Sequence, residues 1–285
     1  MYLCFVLGTE NDFKKRKSGA MGADDLIKKT KDPVTRSSLA YDLRQLGLQA
    51  GMTVIVHSSL KSIGWVCGRE VAVVQALMEV LTEEGTLVMP THSANFSDPK
   101  HWENPAVPEH WHTVIREEMP AYDPRITPTY FMGRIVEAFR NFPGVVRSDH
   151  PTESFAAWGK RKEAIVEGHA LDFGLGEKSP LAKLYDLDAK VLLIGVSYEN
   201  NTSMHLAEYR ASGTIIENAS PILINGQRVW TVYKDLAYQD EHFEAIGVQF
   251  EKVHLVNNGR VGQAHAKLMD QRRLVDFTTH WFKTV

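Results

Sequence analysis

Asn201-Thr202-Ser203-Met204-His205-Leu206-Ala207-Glu208 is the stretch with the clearest chemistry in the 285-residue chain. Small polar residues at 201–203 are good helix caps, so a short helix should begin there. His205 and Glu208 stand three apart, which puts both side chains on one helical face. An imidazole oriented by a carboxylate is a general-base arrangement. By itself the octapeptide describes a surface histidine with a chance acidic neighbour equally well.

Two other polar clusters could join it. His57-Ser58-Ser59-Leu60-Lys61-Ser62 follows an apolar run and leads toward a helix start, where backbone N–H groups suit anionic oxygen or a developing oxyanion. Arg147-Ser148-Asp149-His150-Pro151 adds a fixed positive charge suited to phosphate. If the three converge on one sheet edge, they describe a phosphate-bearing cofactor, an oxyanion hole and a base. Cys67 beside Gly68 reads better as a small residue in a tight turn than as a nucleophile, and no GxSxG elbow surrounds Ser58 or Ser59. Direct transfer within a ternary complex is the simpler scheme.

The elements that must carry these clusters follow from periodicity. A helix over 37–46, a strand over 53–57, a helix over 70–81 and a strand over 86–89 make a βαβ unit, with its site beyond the strands' C-terminal ends. Residues from about 90 to 128 are rich in Pro, His and Trp without periodicity, as a lid or cleft wall would be. Their His92, His101, His110 and His112 lack HExxH or Cys/His spacing, so cleft lining is expected rather than a metal site.

Thr127-Pro128 predicts a helix running to Phe139. Short strands at 145–151 and 154–158, a helix over 161–167, a helix from Ser179-Pro180 and a buried strand over 190–196 follow. The glycine-rich loop at 168–176 lacks the Lys-Ser/Thr of a P-loop. Beyond Glu208, Asn225-Gly226 signals a hairpin between 222–224 and 228–232. A helical piece over 241–246, strands over 253–256 and 263–268 joined by a turn at 257–259, and a final helix over 274–282 complete the chain. The expected class is α/β: an N-terminal parallel or mixed sheet with flanking helices, packed on a C-terminal antiparallel sheet.

Composition fits an enzyme with a sizeable core, at 44% apolar and 24% charged residues. A net charge of −3 excludes the basic footprint of a nucleic-acid binder. The two cysteines, Cys4 and Cys67, make neither a disulfide framework nor a CxxC site, which favours a reducing cytoplasm. The apolar start at 1–7 is too short for a membrane span and lacks the flanks of a signal peptide. Residues 1–20 are expected to be a disordered or non-native extension, with Met21 as the functional start and 21–285 as one domain, monomeric or homodimeric.

Several motifs, in order, resemble the aminoglycoside 3-N-acetyltransferase family, whose fold differs from that of the common GNAT acetyltransferases. They are Val56-His57-Ser58-Ser59-Leu60-Lys61-Ser62-Ile63-Gly64, Gly85-Thr86-Leu87-Val88-Met89-Pro90-Thr91, Phe139-Arg140, and Arg147-Ser148-Asp149-His150-Pro151 with Ser154-Phe155-Ala156-Ala157-Trp158-Gly159. Gly176-Glu177-Lys178-Ser179-Pro180-Leu181, Leu193-Ile194-Gly195-Val196 and the stretch 201–208 complete the set, from about Leu39 to the C-terminus. The resemblance implies acetyl-CoA-dependent acetylation of the 3-amino group of the 2-deoxystreptamine ring of aminoglycosides, with a role in antibiotic resistance and no metal.

The family's catalytic His falls on His205, with Glu208 in the same motif. Its acetyl-CoA segments fall on His57, Ser58, Ser59, Leu60, Lys61 and Ser62, and on Arg147, Ser148, His150 and Ser154. A polycationic substrate calls for carboxylates, and Asp98, Glu103, Asp123, Asp172 and Glu208 are the candidates. The chain departs from the family at Ala237, where an acidic residue ordinarily precedes the Tyr; a third catalytic partner would then be Asp235 or Asp240. Competing readings are an acyl-CoA-dependent N-acyltransferase for a non-antibiotic amine metabolite, a CoA-binding protein without turnover, and, weakest, a metal-dependent hydrolase.

Overall fold

The computed structural model describes residues 26–28, 30–103 and 105–284. The expected extension over 1–20, Cys4 and the start at Met21 lie outside the described residues. Apolar runs too short for helices build the centre: β1 (Thr53–Ser58), β2 (Thr86–Pro90), β3 (Val146–Arg147), β4 (Phe155–Gly159) and β5 (Lys190–Ile194). Later strands are β6 (Ile215–Ile224), β7 (Gln227–Leu236), β8 (Asn257–Val261) and β9 (Ala264–Asp270). A seven-stranded mixed sheet has the order β3-β4-β2-β1-β5-β9-β8, and β6-β7 form a separate two-stranded sheet.

β1 runs parallel to both β2 and β5, with Ile55 opposite Val88 on one side and Val191 on the other. Burial on both faces explains the unbroken apolar runs of β1 and β5. The period of two divides them: Val54, Val56, Leu192 and Ile194 enter one core, and Ile55, Val191 and Leu193 the other. The first core is covered by α1 (Arg36–Leu46), whose Thr35–Ser38 capping box starts it, and, beyond the one-turn α2 (Leu60–Ile63), by α3 (Arg69–Leu81).

Further helices are α4 (His112–Glu118), α5 (Arg134–Phe139), α6 (Lys162–Val166), α7 (Pro180–Asp186), α8 (His205–Ala211), α9 (Phe243–Val253) and α10 (Gln271–Thr284). Leu206, Phe243, Phe250 and Leu274 carry α8, α9 and α10 into the second core. No described helix is long and apolar enough to cross a membrane.

Several boundaries differ from expectation. The helix expected over 127–139 is confined to α5, because Phe131 and Gly133 take left-handed backbone (φ 56° and 84°) that a right-handed helix cannot contain. The Thr127 hydroxyl instead accepts from the Asp123 amide in a preceding turn. Residues 60–63 are a helical turn capped by Ser59 rather than open loop. The segment 90–128 carries α4 and three 3-10 turns. The strand expected over 253–256 is the end of α9 and its exit: Phe243, Ile246, Gly247 and Phe250 share one buried face. β8 begins at Asn257 and turns at Gly262 (φ 59°), whose amide donates to Asp42.

Asn225-Gly226 makes the expected hairpin turn at φ 52° and 77°, with arms of ten residues each. The C-terminal antiparallel portion therefore divides, β6-β7 standing apart while β9 pairs with β5 and extends the main sheet. The C-terminal ends of β1, β2 and β5 share one edge, and β4 begins there, with Phe155 opposite Pro90.

Candidate active site

At that edge opens a cavity of about 920 Å³. β1 delivers His57 and Ser58 to it, α2 delivers Leu60 and Lys61, and the chain leaving β2 delivers His92, Ser97, His101, Trp102 and Glu103. Beyond β5, Val196, Glu199, Asn200, Thr202 and His205 complete that side, with Asp240 from the turn before α9. The segment 90–128 thus forms cavity wall, through His92 and His101; His110 and His112 lie outside the lining.

His205 is the first residue of α8, after a 3-10 turn whose Ser203 amide donates to Asn201 Oδ1 at 3.2 Å. The residue is 4% exposed. Its Nδ1 lies 2.5 Å from Glu208 Oε2, and the other Glu208 oxygen accepts from the Gln239 amide at 2.5 Å. The ring packs on Tyr238 and Phe243, at centroid distances of 4.4 and 4.9 Å. With Nδ1 donating to the carboxylate, Nε2 is the nitrogen able to take a proton.

His57 is buried, and burial first, then the charge of nearby His205, push its pKa down to about 3, so it is neutral. Its Nε2 and the Ser58 hydroxyl have no hydrogen-bond partner among the described residues. The Ser59 amide donates to Ile194 O at 2.9 Å, and its hydroxyl caps α2, accepting from the Ser62 hydroxyl at 2.9 Å. Of the serines here, Ser58 therefore has the hydroxyl best placed to meet a developing oxyanion. Asp240 titrates near 6, raised chiefly by burial and opposed by the charge of His205. This places Asp240, and not Asp235, in the cavity with His205. Asp235 lies in a buried cluster with Tyr209 and Tyr238.

His57, Ser58, Ser59, Leu60, Lys61, Glu103 and His205 come together in the cavity wall, with Glu208 behind His205, while Ser62 within α2 turns its hydroxyl to Gly195 O at 3.0 Å and lies outside the lining. The second group expected to hold cofactor is not brought there. Arg147 points its guanidinium inward: Nε to Thr91 Oγ1 (3.1 Å) and Ser154 Oγ (3.0 Å), Nη1 to Thr127 O (2.6 Å), Nη2 to Thr91 O (2.6 Å) and Ser93 Oγ (2.9 Å). It is a clamp between β2 and β4, with its donors already engaged. Ser148 Oγ is engaged by His169 Nδ1 and the Phe155 amide, His150 Nε2 by Leu171 O, and Ser154 Oγ by Thr91 O.

Of the five carboxylates expected to meet substrate only Glu103 lines the cavity; Glu208 stands behind His205, and the other three are engaged elsewhere. Asp98 is paired with Arg116 at 2.8 Å, Asp123 with Arg125 at 2.7 Å, and exposed Asp172 accepts from the Lys234 amide at 2.8 Å. Arg69, Arg134, Trp65 and Phe131 line the cavity and were not anticipated. Arg134 falls inside the helix that Thr127-Pro128 predicts across 127–139, and Arg69 stands just before the helix expected over 70–81, so neither carries a signal of its own. Among the described residues no group of three or more His, Cys, Asp or Glu could hold a metal ion.

The family model described as aminoglycoside 3-N-acetyltransferase matches residues 55–283. The chain is 51% identical over 259 residues to the SPbeta prophage-derived aminoglycoside N(3')-acetyltransferase-like protein YokD of Bacillus subtilis, covering 90% of this chain and 95% of that protein. The crystal structure of YokD superposes with a TM-score of 0.91 at 50% identity, over 92% of this chain and 97% of that one. Aminoglycoside N(3)-acetyltransferase VII of Streptomyces paromomycinus is 36% identical, over 90% of this chain and 94% of its own length. The structure of AAC-IIIb in binary complex with CoASH matches at a TM-score of 0.80 and 27% identity, over 89% of this chain and 97% of that one.

Proposed function

Since the chain belongs to the aminoglycoside 3-N-acetyltransferase family, and so is an acetyltransferase, we propose that it moves the acetyl group of acetyl-CoA directly onto the 3-amino group of a 2-deoxystreptamine aminoglycoside. The observation that carries this is the buried His205–Glu208 pair, with Nδ1 held at 2.5 Å in the wall of the cavity.

A protonated amine has no lone pair with which to attack a thioester, so a base must take its proton. His205 does so at Nε2, while Glu208 holds the ring and stabilises the imidazolium that forms. Asp240 and Glu199, in the same wall, supply negative charge for a cationic acceptor. The Ser58 hydroxyl and the neutral His57 ring supply donors for the acetyl oxygen as negative charge develops there. His57 resists becoming a second cation beside His205, and in that state it can only donate or accept a hydrogen bond.

The cosubstrate fits the donor set at the other group of wall residues. Lys61, Arg69 and Arg134 line the cavity and suit phosphate oxygens, and Trp65 and Phe131 offer apolar surface. The AAC-IIIb complex with CoASH supports a CoA-type cosubstrate. Two cysteines far apart in sequence suit a reducing cytoplasm. The test is release of CoA thiol from acetyl-CoA across a panel of 2-deoxystreptamine aminoglycosides and simple amines, with His205→Ala as the control. Turnover with aminoglycosides, lost in His205→Ala while acetyl-CoA still binds by calorimetry, is expected. Turnover confined to other amines would replace the acceptor in this proposal.

A further inference from the structure

Behind His205, away from the cavity lining, lies a second cluster of titratable groups that the reaction does not use directly. Glu153 comes from the turn before β4, Tyr209 from α8, Asp235 from the end of β7, and Tyr238 from the segment beyond it. Glu153 and Asp235 are each 3% exposed. Glu153 Oε1 meets the Tyr238 hydroxyl, that hydroxyl lies 2.9 Å from the Tyr209 hydroxyl, and the Tyr209 hydroxyl meets Asp235 Oδ1.

Counting hydrogens along this file requires one more than the tyrosines carry. The three shorter oxygen–oxygen contacts need three hydrogens and two tyrosines supply two, and the longer 3.4 Å approach of the Tyr238 hydroxyl to Asp235 Oδ1 adds none. The third must sit on a carboxyl. Asp235 Oδ1 also accepts the Leu236 amide at 2.9 Å, which favours it as the carboxylate end. Burial and the neighbouring Asp235 charge push Glu153 well above the ordinary carboxyl range, while the Tyr209 hydroxyl and the Leu236 amide both donate to Asp235 and favour its charged form. The file therefore runs from a Glu153 acid through Tyr238 and Tyr209 to an Asp235 carboxylate.

We propose that Glu153 is a positioning residue, which as the acid at the head of this one-proton relay fixes the Tyr238 ring against the face of His205. Tyr238 is the link, because its hydroxyl belongs to the relay while its ring packs 4.4 Å from the His205 ring. The base is thus held by Glu208 in the ring plane and by Tyr238 on a face.

The groups packed round Glu153 leave no other source of countercharge. His150 Nδ1 accepts the Glu153 amide at 3.0 Å and is neutral, its pKa pushed down to about 4 by burial. His169 stacks on His150 at 4.7 Å and is driven down likewise. Tyr233 reaches the turn through Thr152 at 3.2 Å, and α8 contributes Tyr209, His205 and Glu208. Among the described residues no lysine or arginine bonds either carboxyl. The loop 168–176 closes over the site so tightly that a Cβ on Gly174 would stand 2.1 Å from Glu153 Oε2.

Glu153→Gln supplies the same donor to Tyr238 and cannot lose it, and Glu153→Ala removes it. Because the folded-state pKa of Glu153 is raised, its stabilising effect is complete below its ordinary value and is lost as pH rises through the raised one. Thermal unfolding from pH 5 to 9 should therefore show the wild type losing Tm relative to Glu153→Gln as pH increases. Parallel curves would overturn the relay, whatever the enzyme acetylates. The positioning role rests on His205 being the base, and two readouts address it. The His205 Cε1–H resonance, which senses the Tyr238 ring current, should move in Glu153→Ala and stay in Glu153→Gln at neutral pH. In turnover assays, kcat should fall about ten- to a hundredfold in Glu153→Ala with KM for acetyl-CoA unchanged, and be retained in Glu153→Gln. An unmoved resonance or an unchanged kcat in folded Glu153→Ala would refute positioning. If Glu153→Ala does not fold, the wild-type resonance at alkaline pH compared with Glu153→Gln decides the same question. Absence of turnover by the wild type with every amine would instead remove the acetyltransferase reading and leave the unfolding and resonance results standing.

Discussion

Glu208→Gln changes one atom and tests the base most sharply. In the wild type both carboxylate oxygens accept hydrogen bonds at 2.5 Å, one from His205 Nδ1 and one from the Gln239 amide. Glutamine offers only one acceptor at that position; its other terminus is an NH2 donor. The Gln239 amide is a backbone donor that cannot reverse, so the amide oxygen must turn to it. The NH2 group then faces Nδ1, which can accept it only by giving up its hydrogen. Neutral His205 becomes the Nε2–H tautomer, with no lone pair directed at the amine. General-base catalysis is typically worth ~10²–10⁴-fold, so kcat should fall by that factor, or about 3–5 kcal/mol in barrier. Glu208 lies behind His205 rather than in the cavity lining, so KM for acetyl-CoA should hold. The assay is steady-state thiol release at neutral pH, with unfolding curves to show that the variant is intact. A folded Glu208→Gln enzyme with near-normal kcat would refute the assignment of Nδ1 to Glu208 and Nε2 to the substrate.

Two further outcomes follow from buried groups. Arg147→Met should unfold at least ~3 kcal/mol more easily, because unsatisfied buried acceptors cost ~1–3 kcal/mol each and this guanidinium serves Thr91, Ser93, Thr127 and Ser154. A raised KM for acetyl-CoA at unchanged stability would return Arg147 to the cofactor site. His57, whose pKa is lowered to about 3, stabilises the fold only above its ordinary value of 6.5, and that contribution is lost as pH falls toward 3. The Tm of the wild type should therefore decline more steeply than that of His57→Asn between pH 6.5 and 4, where parallel declines would contradict a buried neutral His57.

The order of most elements and the pairing of His205 with Glu208 were legible in the chain itself. Apolar runs at 53–57 and 190–196 announce compact strands, the second ending at Ile194 in the structure, and small polar residues at 201–203 announce the start of the helix that carries His205. Such signals are local, set by periodicity and capping over a few residues. The contents of the cavity were not local. Arg147 and Lys61 look alike as candidate phosphate ligands. Only packing turns Arg147 inward between Thr91 and Ser154 and sets Lys61 in the wall.

Loop carboxylates were equally ambiguous. Asp98 and Asp123 are taken by Arg116 and Arg125, whereas Asp240 reaches His205's cavity from the turn before α9. Left-handed backbone at Phe131 and Gly133 cuts the helix that Thr127-Pro128 predicts, and Arg134 at the start of α5 lines the cavity. Glu153 and Asp235, more than eighty positions apart in the chain, share a relay because a turn before β4 and the end of β7 meet beneath α8. Type and spacing decide which side chains can do the chemistry. Which of them face the same cavity, and which are consumed in holding it together, depends on contacts between residues far apart in the chain.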